Sequence, residues 1–317
     1  MYRYILKRVG LLLLTFFIIV TLSFVLIRMI PRELPTDKAL AEIMLERWEA
    51  LGYGKPILVQ YFIYLKGIVT RWDFGTSWYV DFRTPVWELL VERLPPTVIV
   101  NLSSLLISVP IGLLFGVIAA LKKGQWQDGA VSLLAVIFVS VPSYVYAFGV
   151  QYLLGYSLGW FPLTVYSLDT AGGWLTPRML YSMFPAILAL SFGEIASLSR
   201  FTRAECAEAL GAEYMTFARS RGIPRSAAVR RHALRNALVP ILPSIVAAVI
   251  GILAGSVVIE EIFSIPGIGQ LYIRAINLGD YDVFMMNTLF YTFLGLLSGL
   301  AVDLSWGFID PRIRIGE

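Results

Sequence analysis

Long apolar runs alternate along the chain with short stretches that collect basic residues, and the run lengths predict helices that cross a membrane. After the lead Met1 to Arg8, nineteen uncharged residues extend from Val9 to Ile27, about the number that spans a ~30 Å hydrocarbon core. Residues 31–93 break the pattern by mixing acids and bases with apolar residues at helical spacing. Leu40, Met44, Trp48 and Leu51 mark one amphipathic helix closed by Gly52, and Ile57, Tyr61, Phe62 and Leu65 mark a second that starts near Pro56. The turn Trp72-Asp73-Phe74-Gly75-Thr76-Ser77-Trp78 leads to a third, from about Val86 to Leu94. This insert is expected to pack on the spans or sit at the headgroups, because it is rich in aromatic residues.

Five further apolar runs follow, at Leu94–Leu121 (with Pro110 a kink), Ala130–Leu154, Met179–Leu198, Ala237–Ile259 and Val283–Phe308. The third span is bounded by Gly155, Gly159, Pro162, Gly172 and Gly173, which break the forty uncharged residues Gly129–Leu168 into an external loop. No small-residue cleavage site precedes Arg28-Met29-Ile30-Pro31, so the first span is expected to be retained rather than removed as a signal peptide. The pattern predicts an all-α membrane protein of six transmembrane helices, with an extracytoplasmic helical insert after the first. It divides into 1–93, the first helix and insert; 94–309, the remaining spans with a cytoplasmic loop at 200–236; and a tail, 310–317. Spans of this length exclude a β-barrel.

Charge orients the spans. Fifteen of the 26 Lys and Arg fall in four stretches that flank apolar runs: Arg3, Lys7 and Arg8; Lys122 and Lys123; the eight arginines between Arg200 and Pro240; and Arg312 with Arg314. By the positive-inside rule these stretches face the cytoplasm, with both termini inside, and the basic surplus belongs to membrane topology rather than to a nucleic-acid partner. With 57% hydrophobic residues, 15% charged and a mean hydropathy of +0.72, the whole chain falls in the membrane class.

The arginine-rich stretch reads as two short helices. One runs from Ala212 to Arg221 and stops at Gly222-Ile223-Pro224; the other runs from Ala227 to Leu238 with Ser226 as N-cap. On the first, Tyr214, Phe217, Ala218 and Arg221 recur at helical spacing, flanked by Glu213 and Arg219, a pattern suited to docking in a partner's groove or to packing on the chain's own spans. Gly222 suits a backbone turn that other residues resist. Arg230, Arg231 and Arg235 are candidates for contact with a partner or with lipid phosphates.

Other chemistry is sparse. One cysteine, Cys206, and one histidine, His232, exclude an intramolecular disulfide and argue against a zinc site or a Cys-His pair. The last lysine is Lys123, and the only Gly-Lys pair, Gly54-Lys55, is followed by proline, so no phosphate-binding loop is present. An ion-driven carrier or a channel would show several ionisable residues on its spans, and a membrane enzyme would show clustered catalytic groups. The candidates here are Glu194 and Asp303, both near predicted cytoplasmic ends where pairing with arginines or contact with water accounts for them.

Glu213-Tyr214-Met215 through Ala218-Arg219-Ser220-Arg221-Gly222-Ile223, then His232-Ala233-Leu234-Arg235-Asn236-Ala237-Leu238-Val239-Pro240, resembles the cytoplasmic signature loop of bacterial ABC transporter permeases, in particular the first permease subunit of dipeptide, oligopeptide and nickel importers. Glu260–Gly269 (EEIFSIPGIG), Val302-Asp303-Leu304 and Asp310-Pro311-Arg312-Ile313-Arg314 agree with it. On the outer side, Pro31-Arg32-Glu33-Leu34-Pro35 stands where the family has a Pro-Gly-Asp-Pro-like turn, and Trp72-Asp73-Phe74-Gly75 where a Gly-Asp-Leu-Gly-like turn is common. The resemblance implies a type I importer permease fold and a non-enzymatic chain that forms half of a pore. It also implies a second homologous permease, two ATPase subunits that carry the ATP and magnesium, and an extracytoplasmic solute-binding protein. This chain itself would bind no cofactor and no metal. Peptides, a nickel complex, glutathione or an oligosaccharide all remain open as solutes.

Overall fold

A computed structural model describes residues 2–30, 38–50 and 52–309; the turn Pro31–Pro35 and the terminal Asp310–Arg314 motif lie outside them. Among the described residues the chain is helical without strands, with one isolated β-bridge between Thr76 and Pro85. The first span is α1 (Tyr2–Arg28). The insert supplies α2 (Lys38–Ala50) and α3 (Ile57–Arg71). Pro56 sits immediately before α3, where its fixed φ and missing N–H suit a helix start, and Trp72 closes it in the left-handed region at φ 57°.

The expected third insert helix and the second span are one element, α4 (Val86–Leu121), 36 residues long. Pro95 and Pro96 do not divide it. The carbonyls they leave without intrahelical donors belong to Val91 and Glu92, both exposed, so the freed acceptors need no buried partner.

The third span is broken instead of continuous. Its halves, α5 (Trp126–Ser140) and α6 (Ser143–Val150), meet at a 103° bend, and α6 runs on through a π-helical segment, Gln151–Ser157. Pro142 causes the break, since it holds itself extended at ψ 140° and removes the N–H that would continue the helix. A single turn, α7 (Leu168–Ala171), then leads to α8 (Pro177–Gly211), capped by the Thr176 hydroxyl, which accepts from Met179 N. At 35 residues, α8 outruns the predicted fourth span and carries Arg200 and Arg203 on a continuous helix.

Beyond α8 lie α9 (Glu213–Ser220) and α10 (Arg225–Ala228), the latter preceded by Pro224 rather than capped by Ser226 as expected. A π-helical turn, Val229–Ala233, joins α10 to α11 (Leu234–Gly251), so the second loop helix is the first part of the fifth span. That span ends at Gly251, short of the expected Ile259: Gly255, at φ +70°, turns the chain and Ser256 caps a new short helix, α12 (Val257–Ile262). The last elements are α13 (Ile268–Leu278) and α14 (Tyr281–Ile309).

Five helices are long and apolar enough to cross a membrane, or six if the bent pair counts as one. The packing decides between these. Along α4 and α8, Ser104 meets Ser191 at 3.1 Å, Gly112 lies against Leu198, and Gly116 against Ser199 and Thr202. Position rises on both helices together, so they run parallel, and the segment between them has to cross back once. The bent pair is therefore the third of six spans. In contrast α1 and α14 are antiparallel, with Arg8 at Asp303, Phe16 at Phe293, and Phe24 in one cluster with Met285. Both ends of the described chain thus lie on one side, with α9, while the insert, α12 and α13 lie on the other.

Small residues set the α4–α8 contact. A Cβ on Gly116 would come 2.7 Å from the Ser199 carbonyl, so a larger residue would force the helices apart. The insert packs on the spans as expected: Tyr61 and Tyr64 of α3 are buried with Val20 and Phe24 of α1 and Met285 and Leu289 of α14.

Candidate functional site

On one face of the molecule, α9 stands out because half of it is anchored and half is bare. Met215 and Ala218 are buried at 4% and 5% exposure in a cluster with Ala120 of α4, Cys206 and Ala209 of α8, and Ala228, Val229, Ala233 and Ala237 of the fifth span. On the opposite side, Tyr214 and Phe217 are 37% and 57% exposed, and the Arg221 guanidinium sits 4.4 Å from the Phe217 ring centroid. Glu213 in the first turn and Arg219 in the last complement the helix dipole, and both are exposed. The Tyr214/Phe217/Arg221 part of the predicted stripe thus faces away from the protein, while Ala218 faces into it. Met215, which the stripe did not include, is the other anchor.

The exit from α9 is a Schellman turn: Gly222 N donates to Arg219 O at 3.0 Å, and Ile223 N reaches back to Ala218 O at 3.2 Å. Gly222 adopts φ +78° and nothing lies near where its Cβ would be, so the demand for glycine is conformational rather than steric. Ile223 packs beneath the turn on the same cluster as Met215. Arg230, Arg231 and Arg235 are exposed on this face. Arg203 is engaged differently: it holds the Asp128 carboxylate at the start of α5 through two N–H groups, one at 2.9 Å, and Gly124 N adds a third donor at 3.0 Å. Cys206 is buried among alanines, a packing position.

The two carboxylates predicted on spans fare differently. Asp303 forms an ion pair with Arg8 at 3.0 Å. Among the described residues Glu194 has no ion-pair partner; it borders two adjoining cavities between α4, α8 and α11, of about 300 and 210 Å³.

Two further carboxylates, absent from the candidates drawn from the sequence, organise the opposite face. Glu260 is 1% exposed. It accepts from Thr97 Oγ1 at 2.9 Å, Gly269 N at 2.7 Å and Gln270 N at 3.1 Å, while Ile268 N donates to Thr97 Oγ1 at 2.9 Å. Burial pushes its carboxyl up to about 7 despite these donors. A Cβ on Gly255 or Gly267 would collide with that carboxylate, and one on Gly269 would lie 2.7 Å from Val257 Cα. Asp280 accepts from Ser77 Oγ at 2.7 Å and from Trp78, Tyr79 and Val80 N at 3.0, 2.9 and 3.1 Å, which ties the insert to the junction of α13 and α14. The signal for Glu260 was present in the Glu260–Gly269 motif, whose glycines crowd one carboxylate.

A profile described as binding-protein-dependent transport system inner membrane component matches residues 112–315, and one for the N-terminal part of the same membrane components matches residues 1–101. The chain is 37% identical over 316 residues to the dipeptide transport system permease protein DppB of Lactococcus lactis subsp. cremoris (strain MG1363), covering 99% of this chain and 100% of the relative. It is 34% identical to the protein of the same name from Bacillus subtilis (strain 168), covering 99% of each. Identity to the oligopeptide transport system permease protein OppB of Salmonella typhimurium is 35%, over 99% of this chain and 100% of the relative.

Proposed function

The chain belongs to the inner membrane components of binding-protein-dependent transport systems, and from that premise we propose that it is one of two related permease subunits in an ATP-driven importer of peptides. The relatives' names point to di- and oligopeptides, and their similarity extends over the whole chain. The observation that carries the mechanism is α9: two bare aromatics and an arginine on a helix whose other side is locked to α4, α8 and the fifth span. Such a helix cannot move without moving three spans.

The α9 face also carries Lys7, Arg8, Lys122, Lys123 and the exposed Arg230, Arg231 and Arg235, and the positive-inside rule assigns it to the cytoplasm together with both termini. The ATPase groove receives Tyr214 and Phe217 as anchors, while Glu213, Arg219 and Arg221 set its orientation. ATP and magnesium belong to those partner subunits, since this sequence lacks a phosphate-binding loop. Closure of the two ATPases rocks the spans through α9, and a solute-binding protein delivers peptide on the insert side.

The test is Tyr214→Ala with Phe217→Ala, followed by affinity purification of the assembled importer. We expect membrane insertion and the second permease to be retained, the ATPase on this side to be depleted and peptide uptake to be lost. Normal ATPase recovery with normal transport would refute this docking role and place the coupling surface elsewhere on the chain.

A further inference from the structure

The seam between α4, α8 and α11 holds two adjoining cavities that share Leu105, Glu194 and Ala248. The larger, about 300 Å³, adds Asn101, Ser104 and Ser256; the smaller, about 210 Å³, adds Ser108, Ser197 and Ser244. Among the described residues that line them, Glu194 is the single charged side chain, and it stands where the two meet.

Its position along α8 makes this unusual. Glu194 lies six residues before Arg200 and sixteen after Arg178, or ~9 Å and ~24 Å along the helix axis, so it is within the membrane. An ionisable group there raises the cost of insertion unless it is paired or faces a polar cavity. Asp303 is paired, with Arg8. Glu194 faces a cavity whose other polar groups are amides and hydroxyls, which solvate a polar solute without neutralising a carboxylate. Hard metal cations need six or more oxygen ligands, and among the described residues no cluster of three or more acidic, His or Cys side chains exists to hold one. What fits a single carboxylate beside hydroxyls and one amide is a compact organic cation that brings its own hydrogen-bond donors.

We propose that Glu194 is the specificity contact of the translocation path, receiving the ammonium group of the passing solute; for a peptide importer, that is the free N-terminal amine. Ser197 and the amide of Asn101 flank Glu194 for the peptide's backbone, and the Ser108 and Ser244 hydroxyls, whose protons go to Leu105 O and Ile241 O, leave their oxygens to accept from its N–H groups. This rests on the peptide reading above and assigns one of its contacts.

The test uses the complete importer in proteoliposomes, with its solute-binding protein, supplied with an equimolar tripeptide library or the same library N-acetylated. Uptake is quantified by mass spectrometry and divided by the amount the binding protein holds, so that selection by that protein cancels. Wild type is expected to favour the free-amine library. Glu194→Gln should lower free-amine uptake about tenfold or more, the loss of one hydrogen bond to a charged group, with acetylated uptake little changed and ATP hydrolysis still stimulated by the loaded binding protein. Glu194→Asp should be intermediate. Equal preference in wild type and Glu194→Gln, or an equal loss for both libraries, overturns the assignment while leaving the peptide reading intact. If wild type moves neither library, the peptide reading itself fails. If the Gln variant does not assemble, the Asp variant decides: a preference identical to wild type or a uniform loss overturns the proposal, and a weakened preference for free amines supports it.

Discussion

The α9 segment and the α12–α13 segment are both motif-rich stretches between spans, and the fold uses them in opposite ways. In α9 the distinctive side chains point outward: Tyr214, Phe217, Arg219 and Arg221 are exposed, and small or flexible residues hold the helix from behind. In α12–α13 nine of the thirteen residues from Ile259 to Leu271 are buried, and the inner carboxylate, Glu260, binds the run's own backbone amides. In the docking role proposed above, a motif of the first kind is written for another molecule. The second is written for the chain itself, and a sequence pattern alone does not separate the two because both combine glycine, charge and aromatic residues.

Substitutions at the two places should therefore fail differently. The largest effect is expected from Glu260→Ala, which strips acceptors from Thr97, Gly269 and Gln270; at ~1–3 kcal/mol for each orphaned donor, little folded permease should survive detergent extraction, as read by size-exclusion chromatography. An undiminished monodisperse peak would show that the outer segment is not held by this carboxylate. Next comes the pair Tyr214→Ala and Phe217→Ala. If each is a docking anchor of ~2 kcal/mol, ATPase affinity should fall several-hundred-fold while the melting temperature of the isolated permease stays the same. A lowered melting temperature with intact docking would reverse the contrast.

The ionisation of Glu260 provides a gentler probe. Because the folded site raises its carboxyl from the usual 4.5 to about 7, its full contribution to stability is present below pH 4.5 and declines as pH rises through 7, by up to ~3 kcal/mol. Melting curves from pH 5 to 8.5 should show this decline in wild type and a flatter profile in Glu260→Gln; parallel profiles would place the titration elsewhere. The smallest effect is expected at Gly222→Val. The left-handed backbone there costs a β-branched residue ~1–2 kcal/mol, confined to the Schellman turn, so assembly should persist while ATP turnover stimulated by the loaded binding protein drops. Unchanged coupling would remove the turn from the mechanism.

Much of this was legible in the sequence. Six spans followed from apolar run lengths, and a short amphipathic helix ending at Gly222 followed from its stripe and its glycine. The bend at Pro142 was not foreseen, because the forty uncharged residues around it look the same to hydropathy whether the helix is straight or folded over. Gly251 ended the fifth span early for the same reason: the apolar run passes through the turn at Gly255 without a change in polarity. The third insert helix and the second span were read as two elements, from the change in polarity near Leu94, but they are one helix. Glu260, Asp280 and the Asp128–Arg203 pair were missed because their partners lie far away in sequence or are backbone amides, which leave no side-chain signature.

The parallel alignment of α4 and α8 also governs how the protein can be made. Neighbouring antiparallel helices can pair as they leave the ribosome, but α4 cannot meet its main partner until the bent return segment has been inserted and α8 has followed. At ~5–20 residues per second, the residues from the end of α4 to the end of α8 take ~5–18 s. During this wait, α4 sits in lipid with the polar residues of its future seam. Asn101 donates to Thr97 O at 2.7 Å and Ser108 to Leu105 O at 3.4 Å, both within the same helix. On α8, Ser191 and Ser199 do the same with Ile187 O at 2.7 Å and Ala196 O at 3.1 Å. Each late-meeting surface thus carries its own provisional acceptors, and biosynthesis can leave the two helices apart until the chain is long enough to bring them together.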